Sequence, residues 1–166
     1  LHLIDQGFDL VVGSPPCKML CLASIRYMRE FGERRILLEE SAQFFLKLMH
    51  ADVAFGVALE NPRHHPAARV ALGGLRPTCQ LNPHDCGTPE VKPTSFFMTP
   101  GLSTPLPTQY VTGRNRRLAN LAPGLWRSDF RSEFYLGIAQ CIAATWTGDL
   151  IRFIQSRQST GRRSSY

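Results

Sequence analysis

A chain of 166 residues, 43% of them hydrophobic and ten of them Phe, carries one domain's worth of core, and that composition argues against wholesale disorder. The formal charge of +6, from 19 Lys and Arg against 13 Asp and Glu, favours a polyanionic partner such as nucleic acid, and no apolar run approaches the roughly 20 residues of a membrane span. Cysteines at 17, 21, 79, 86 and 141 form an odd set with no signal peptide ahead of them, which reads as a reduced, intracellular, non-secreted protein rather than a disulfide scaffold.

The chain begins on Leu, and its first strand is expected within ten residues, so an upstream segment is expected to be missing. Residues 8–13 form a short β-branched apolar run of the kind buried on both faces of a sheet, and Ser14-Pro15-Pro16 stops it because proline cannot donate to a ladder. Residues 33–50 place Ile36, Leu37, Glu40, Ser41, Phe44, Phe45, Leu48 and Met49 at helical spacing, with charge mostly on the other side. Residues 53–60 are a second apolar run, cut off by Asn61-Pro62. Strand, helix, strand predicts a right-handed βαβ unit with two parallel strands ending at one sheet edge.

Further on, residues 65–74 suggest a short helix with Pro66 in its first turn and glycines closing it, and residues 92–102 a strand followed by a turn. Residues 137–156 carry Ile138, Cys141, Ile142 and Trp146 on one helical stripe. One domain is expected over residues 1–156, with residues 157–166 a basic, solvated and disordered tail. No internal repeat or linker divides the chain.

In open parallel sheets ligands bind beyond the carboxyl ends of the strands, which here are Ser14-Pro15-Pro16-Cys17 and Glu60-Asn61-Pro62. The two strands lie about 4.8 Å apart if they are neighbours, or about twice that with one strand between, and either spacing brings Cys17 and Glu60 within reach of one small planar ligand. A carboxylate closing an apolar run is costly to bury unpaired, so Glu60 faces a cleft, a partner or a ligand, or else is a strand-end charge in water. Cys17 alone reads equally as a small buried hydrophobe. Cys21, one turn on, is either packing or the partner of a Cys17 disulfide under oxidation.

The pairing of Pro-Pro-Cys after one strand with Glu-Asn-Pro after the next resembles the catalytic core of the DNA cytosine-5 methyltransferases, and most closely their compact phage-type members. The same order holds for Pro15-Pro16-Cys17, Glu60-Asn61-Pro62, Lys92-Pro93-Thr94, Pro107-Thr108, Arg131-Ser132, Gly137-Ile138-Ala139 and Trp146. The resemblance implies an α/β, Rossmann-like methyltransferase-type sheet with flanking helices, incomplete at the N-terminus. It implies that Cys17 adds to C6 of a flipped cytosine, that Glu60 bonds the N3 and N4 edge of the base, and that C5 takes a methyl group from S-adenosylmethionine. Asn61 with Pro15 and Pro16 would hold the loop, and Lys92, Arg114, Arg116 and Arg131 would contact DNA.

The glycine-rich cofactor loop of that family has no counterpart here, since neither the glycines at 73 and 74 nor Gly113 follows a buried strand. S-adenosylmethionine binding is therefore expected from a missing N-terminal half or a separate subunit. Three rivals stand beside this reading. A zinc module could use Cys79, His84 and Cys86, although their spacing is not that of paired knuckles. A catalytically inactive nucleic-acid-binding remnant would keep the base pocket alone. A pyrimidine-modifying enzyme acting on a free nucleotide would keep the thiol chemistry with another base or one-carbon donor.

Overall fold

The computed structural model describes residues 6–27, 32–117, 120 and 134–163. They form a mixed α/β fold in chain order β1 (Leu10–Gly13), a 3-10 turn (Leu22–Tyr27), α1 (Gly32–Met49), β2 (Gly56–Asn61), α2 (Pro66–Ala71), β3 (Cys79–Leu81), a second 3-10 turn (Pro83–Asp85), β4 (Thr94–Met98) and α3 (Leu136–Arg163). The sheet order is β1-β2-β4-β3. As expected, β1 and β2 are parallel, and they are also direct neighbours, with Leu10 opposite Gly56 and Gly13 opposite Leu59. β4 runs antiparallel to β2, with Asn61 opposite Ser95, and β3 antiparallel to β4.

β2 reads as an unbroken apolar run because both its faces are covered. Val57 and Leu59 join Phe97 of β4 and Leu38, Ala42 and Phe45 of α1 on one face. Ala58 and Phe96 join Ile138, Cys141, Ile142 and Trp146 of α3 on the other. All four residues of the stripe expected on the last helix are therefore buried.

The buried face of α1 differs from the stripe expected. Phe45, Leu48 and Met49 are in the core, but Ile36, Leu37 and Phe44 are 59%, 47% and 39% exposed, and Leu38 and Ala42 take their place. Leu38, Ala42, Phe45 and Met49 follow i, i+4, i+7 and i+11, and a small residue at 42 lets the helix axis approach the sheet. α2 begins as the sequence indicates, with Pro66 at N1 and His65 as N-cap, its Nδ1 accepting from Ala68 N.

Residues 157–163, part of the stretch expected as a basic tail, continue α3. Arg157 is drawn onto the fold at this point: Nη1 lies 3.8 Å from Asp9 Oδ1, and the guanidinium sits 5.6 Å above the Phe153 ring. Phe153 in turn stacks on Phe55 at 4.9 Å, so the extension of the helix has an apolar contact to follow. Among the described residues no helix is long and apolar enough to cross a membrane.

Candidate active site at the ends of β1 and β2

Parallel pairing sets residue n of β1 opposite residue n+46 of β2, and that offset continues past the strands into side-chain bonds. Ser14 Oγ donates to Glu60 Oε2 at 2.5 Å. One residue on, Asn61, fully buried, donates from Nδ2 to Pro15 O at 2.9 Å. Further along, His65 Nε2 bonds Met19 O at 2.9 Å. Main-chain bonds complete the seam, from His65 N to Leu20 O at 3.1 Å and from Leu22 N to Arg63 O at 2.8 Å. Neither Pro15 nor Pro16 has an N–H to give, so this loop cannot knit itself and is held by the segment after β2.

Cys17 opens a single turn in which Leu20 N and Cys21 N both donate to Cys17 O, at 2.9 and 2.8 Å. The thiol is half-buried, hydrogen-bonded to Cys21 of the same turn and within the electrostatic reach of Glu60. Its hydrogen bond with Cys21, then burial, then the nearby Glu60 charge all push its pKa above the ordinary thiol value. The thiol is therefore protonated in the resting protein at neutral pH. Burial likewise raises Glu60, against the Ser14 hydroxyl and the Lys92 charge, which pull it down. Lys92 is close because β4 runs antiparallel, which sets the start of β4 at the edge where β2 ends. The ammonium lies 5.6 Å from the centroid of Tyr135.

Cys17, Glu60, Asn61, Pro15 and Lys92 thus share one edge, with Pro15 buried as part of the support and Pro16 exposed. Arg114 and Arg116 are exposed on a loop pinned by Asn115 N to Pro89 O and Val91 N to Asn115 O, both 2.9 Å. Neither has an ion-pair partner among the described residues. Arg131 and Ser132 lie outside the described residues. Trp146 is a core residue whose Nε1 donates to Ser103 O at 3.1 Å.

Reading the sequence missed the two histidines after Glu-Asn-Pro. His64 Nε2 lies 3.1 Å from Asn61 Oδ1, and because the Asn61 amide nitrogen is already given to Pro15, the imidazole donates there. That leaves His64 Nδ1 a buried acceptor with no partner. A histidine directly before a helix-opening proline, as at 65 and 66, was the available signal for a cap.

Among the described residues no group of three or more His, Cys, Asp or Glu side chains could hold a metal. The zinc candidates are committed elsewhere. His84 bonds Glu90 O and approaches Asp85. Cys86 is buried in the α3 core beside Cys141, whose Sγ donates to Leu106 O. Nor do the described residues fit S-adenosylmethionine. Gly13 leads through Ser14 into two prolines without N–H groups, and Gly73 and Gly74, at φ 64° and 80°, close α2 rather than follow a strand.

No protein-family model matches the chain, and no curated protein matches it.

Proposed function

We propose that this chain is the base-capturing part of a DNA cytosine-5 methyltransferase-like enzyme, with a Rossmann-like sheet and DNA as its partner inside the cell. The single observation that carries the reading is that Cys17 and Glu60 follow adjacent parallel strand ends, near enough for the Glu60 charge to act on the thiol, with Ser14 and Asn61 bonding the two segments together. In the step assigned to this chain, the Cys17 thiol gives its proton to water and its sulfur forms a bond to C6 of cytosine. The C5–C6 π pair moves into the ring as N3 accepts a proton delivered by the Glu60 carboxyl, whose proton affinity burial raises. The adduct is nucleophilic at C5. Methyl transfer requires a donor site outside the described residues, and β1, an edge strand among them, offers an open rim where a cofactor-binding half or subunit would add another strand.

The reading is tested without the donor. An enamine at C5 picks up a deuteron from D2O, loses the original hydrogen as a proton, expels the thiolate and returns cytosine labelled at C5. We expect slow C5 exchange in a single-stranded oligonucleotide, abolished by Cys17→Ser and reduced at least about a hundredfold by Glu60→Gln, the usual scale of a lost acid catalyst. The raised Cys17 thiol favours one second reading, a binding protein without catalysis. No exchange, with oligonucleotide binding indifferent to Cys17→Ala, would establish that alternative and end the first.

A further inference from the structure

Glu90 has no part in the reaction above, yet with Asp149 it is one of two buried carboxylates among the described residues, 9% exposed just ahead of β4. Burying a charge there is costly unless it is paired, and both of its oxygens are engaged. Tyr135 Oη donates to Oε2, and Arg117 Nη2 lies 3.2 Å from Oε1. The backbone is tied at the same place, where Glu90 bridges in parallel to Asn115 and Asn115 Oδ1 accepts from Arg117 N at 2.8 Å. The Tyr135 ring carries the Lys92 ammonium on its face, and the Lys92 charge acts on Glu60.

We infer that Glu90 is a positioning residue for the site. Through Arg117 it docks the loop of residues 113–117 on the sheet edge, and through Tyr135 it sets Lys92 opposite Glu60. Arg117 is thereby consumed by the protein, while Arg114 and Arg116 remain for the phosphates of a nucleic-acid strand. The ligand class rests on the proposed function; the docking does not.

Glu90→Gln separates docking from bulk charge because the two predict opposite signs. Removing an anion from a basic surface tightens polyanion binding if electrostatics alone operates, whereas undocking the loop weakens it. The measurements are amide hydrogen exchange of the full chain and anisotropy titration with a single-stranded oligonucleotide. Exchange at Val91 and Asn115 is expected to quicken about three- to tenfold, the range of one half-buried ion pair, with β2 amides unchanged, and binding is expected to weaken. Arg117→Gln breaks the same pair from its exposed end, so it cannot unfold the core, and should quicken the same two amides. Unchanged exchange in both variants, or tighter binding by Glu90→Gln, overturns the inference. Quickened exchange in a protein whose wild type binds no oligonucleotide keeps the docking role and removes the nucleic-acid reading.

Discussion

Acid should weaken this fold through one imidazole, and the effect can be isolated. His64 is 6% exposed, stacked on Phe97 at 4.9 Å and 17° and edge-on to Phe45 at 5.6 Å. Burial first, then electrostatic interaction with His65 and Arg69, lowers its pKa from 6.5 to about 4. In the unfolded chain the ring takes a proton near the ordinary value, whereas the folded chain refuses it until far lower pH. Between those two values the unfolded state binds more protons, so stability falls as pH falls, starting near 6.5 and complete at about 4.

From pH 7 to pH 5 the loss is about 2 kcal/mol where burial acts in full, and nearer 1 kcal/mol where solvent screens the exposed Arg69. Urea unfolding followed by far-UV circular dichroism, at both pH values, measures it. The comparison is with His64→Phe, which keeps an aromatic ring against Phe97 and removes the titration. Carboxylates titrate in both proteins and cancel in the difference. The variant should be less stable at pH 7, because Asn61 Oδ1 loses its donor, but its loss between pH 7 and pH 5 should be smaller by that 1 to 2 kcal/mol. Equal losses in the two proteins would refute the claim that the ring is held neutral by burial.

The remaining predictions concern how α3 is fastened. A Cβ on Gly137 would lie 1.8 Å from Cys86 O, so Gly137→Ala should cost about 3 kcal/mol or more in urea unfolding, whereas Gly148→Ala, whose nearest contact is Arg152 Nη1 at 3.5 Å, should gain about 0.5–1 kcal/mol. Equal effects from the two would show that α3 is not seated on the Cys86 carbonyl. Burial pushes the Asp149 carboxyl up, but the Ser103 N–H at 2.7 Å, the Ser103 hydroxyl at 2.9 Å and Arg152 outweigh it and hold the pKa below the ordinary carboxylate value. Its contribution is present above that ordinary value and lost as pH falls through the lowered one. Asp149→Asn should therefore cost about 1–3 kcal/mol at pH 7 and nothing once the wild-type carboxyl is protonated, as read from chemical unfolding at each pH.

What could be read from the residues was whatever a proline cuts. β1 and β2 are apolar runs stopped by Ser-Pro-Pro and Asn-Pro, and the crossover between them implies parallel pairing, so Cys17 and Glu60 fall at one edge. The direction of β4 was not legible, because an apolar run buried on both faces looks the same whichever way it runs. That direction is what delivers Lys92 to the site. β3 is three residues with one of them buried, too short for a period. The face of α1 was misread because apolar residues ring more than half of the helix there, so periodicity alone offers two stripes and packing against Val57 and Leu59 selects the one containing Ala42. Tyr135 and Glu90 escaped because their partners are 45 residues apart in the chain.

The opening loop explains itself through what its prolines withhold. A segment unable to donate from Pro15 and Pro16 can form neither strand nor helix, so its shape must come from groups that reach it. Those groups stand at the same 46-residue spacing that pairs the strands: Glu60 for Ser14, Asn61 for Pro15 and His65 for Met19. A one-residue slip between β1 and β2 would therefore break all three bonds together and turn Val57 and Leu59 out of the α1 core. The hydrophobic pattern that fixes register is thus also what fixes the distance between the thiol and the carboxyl, and the prolines make the loop dependent on that register rather than on its own sequence.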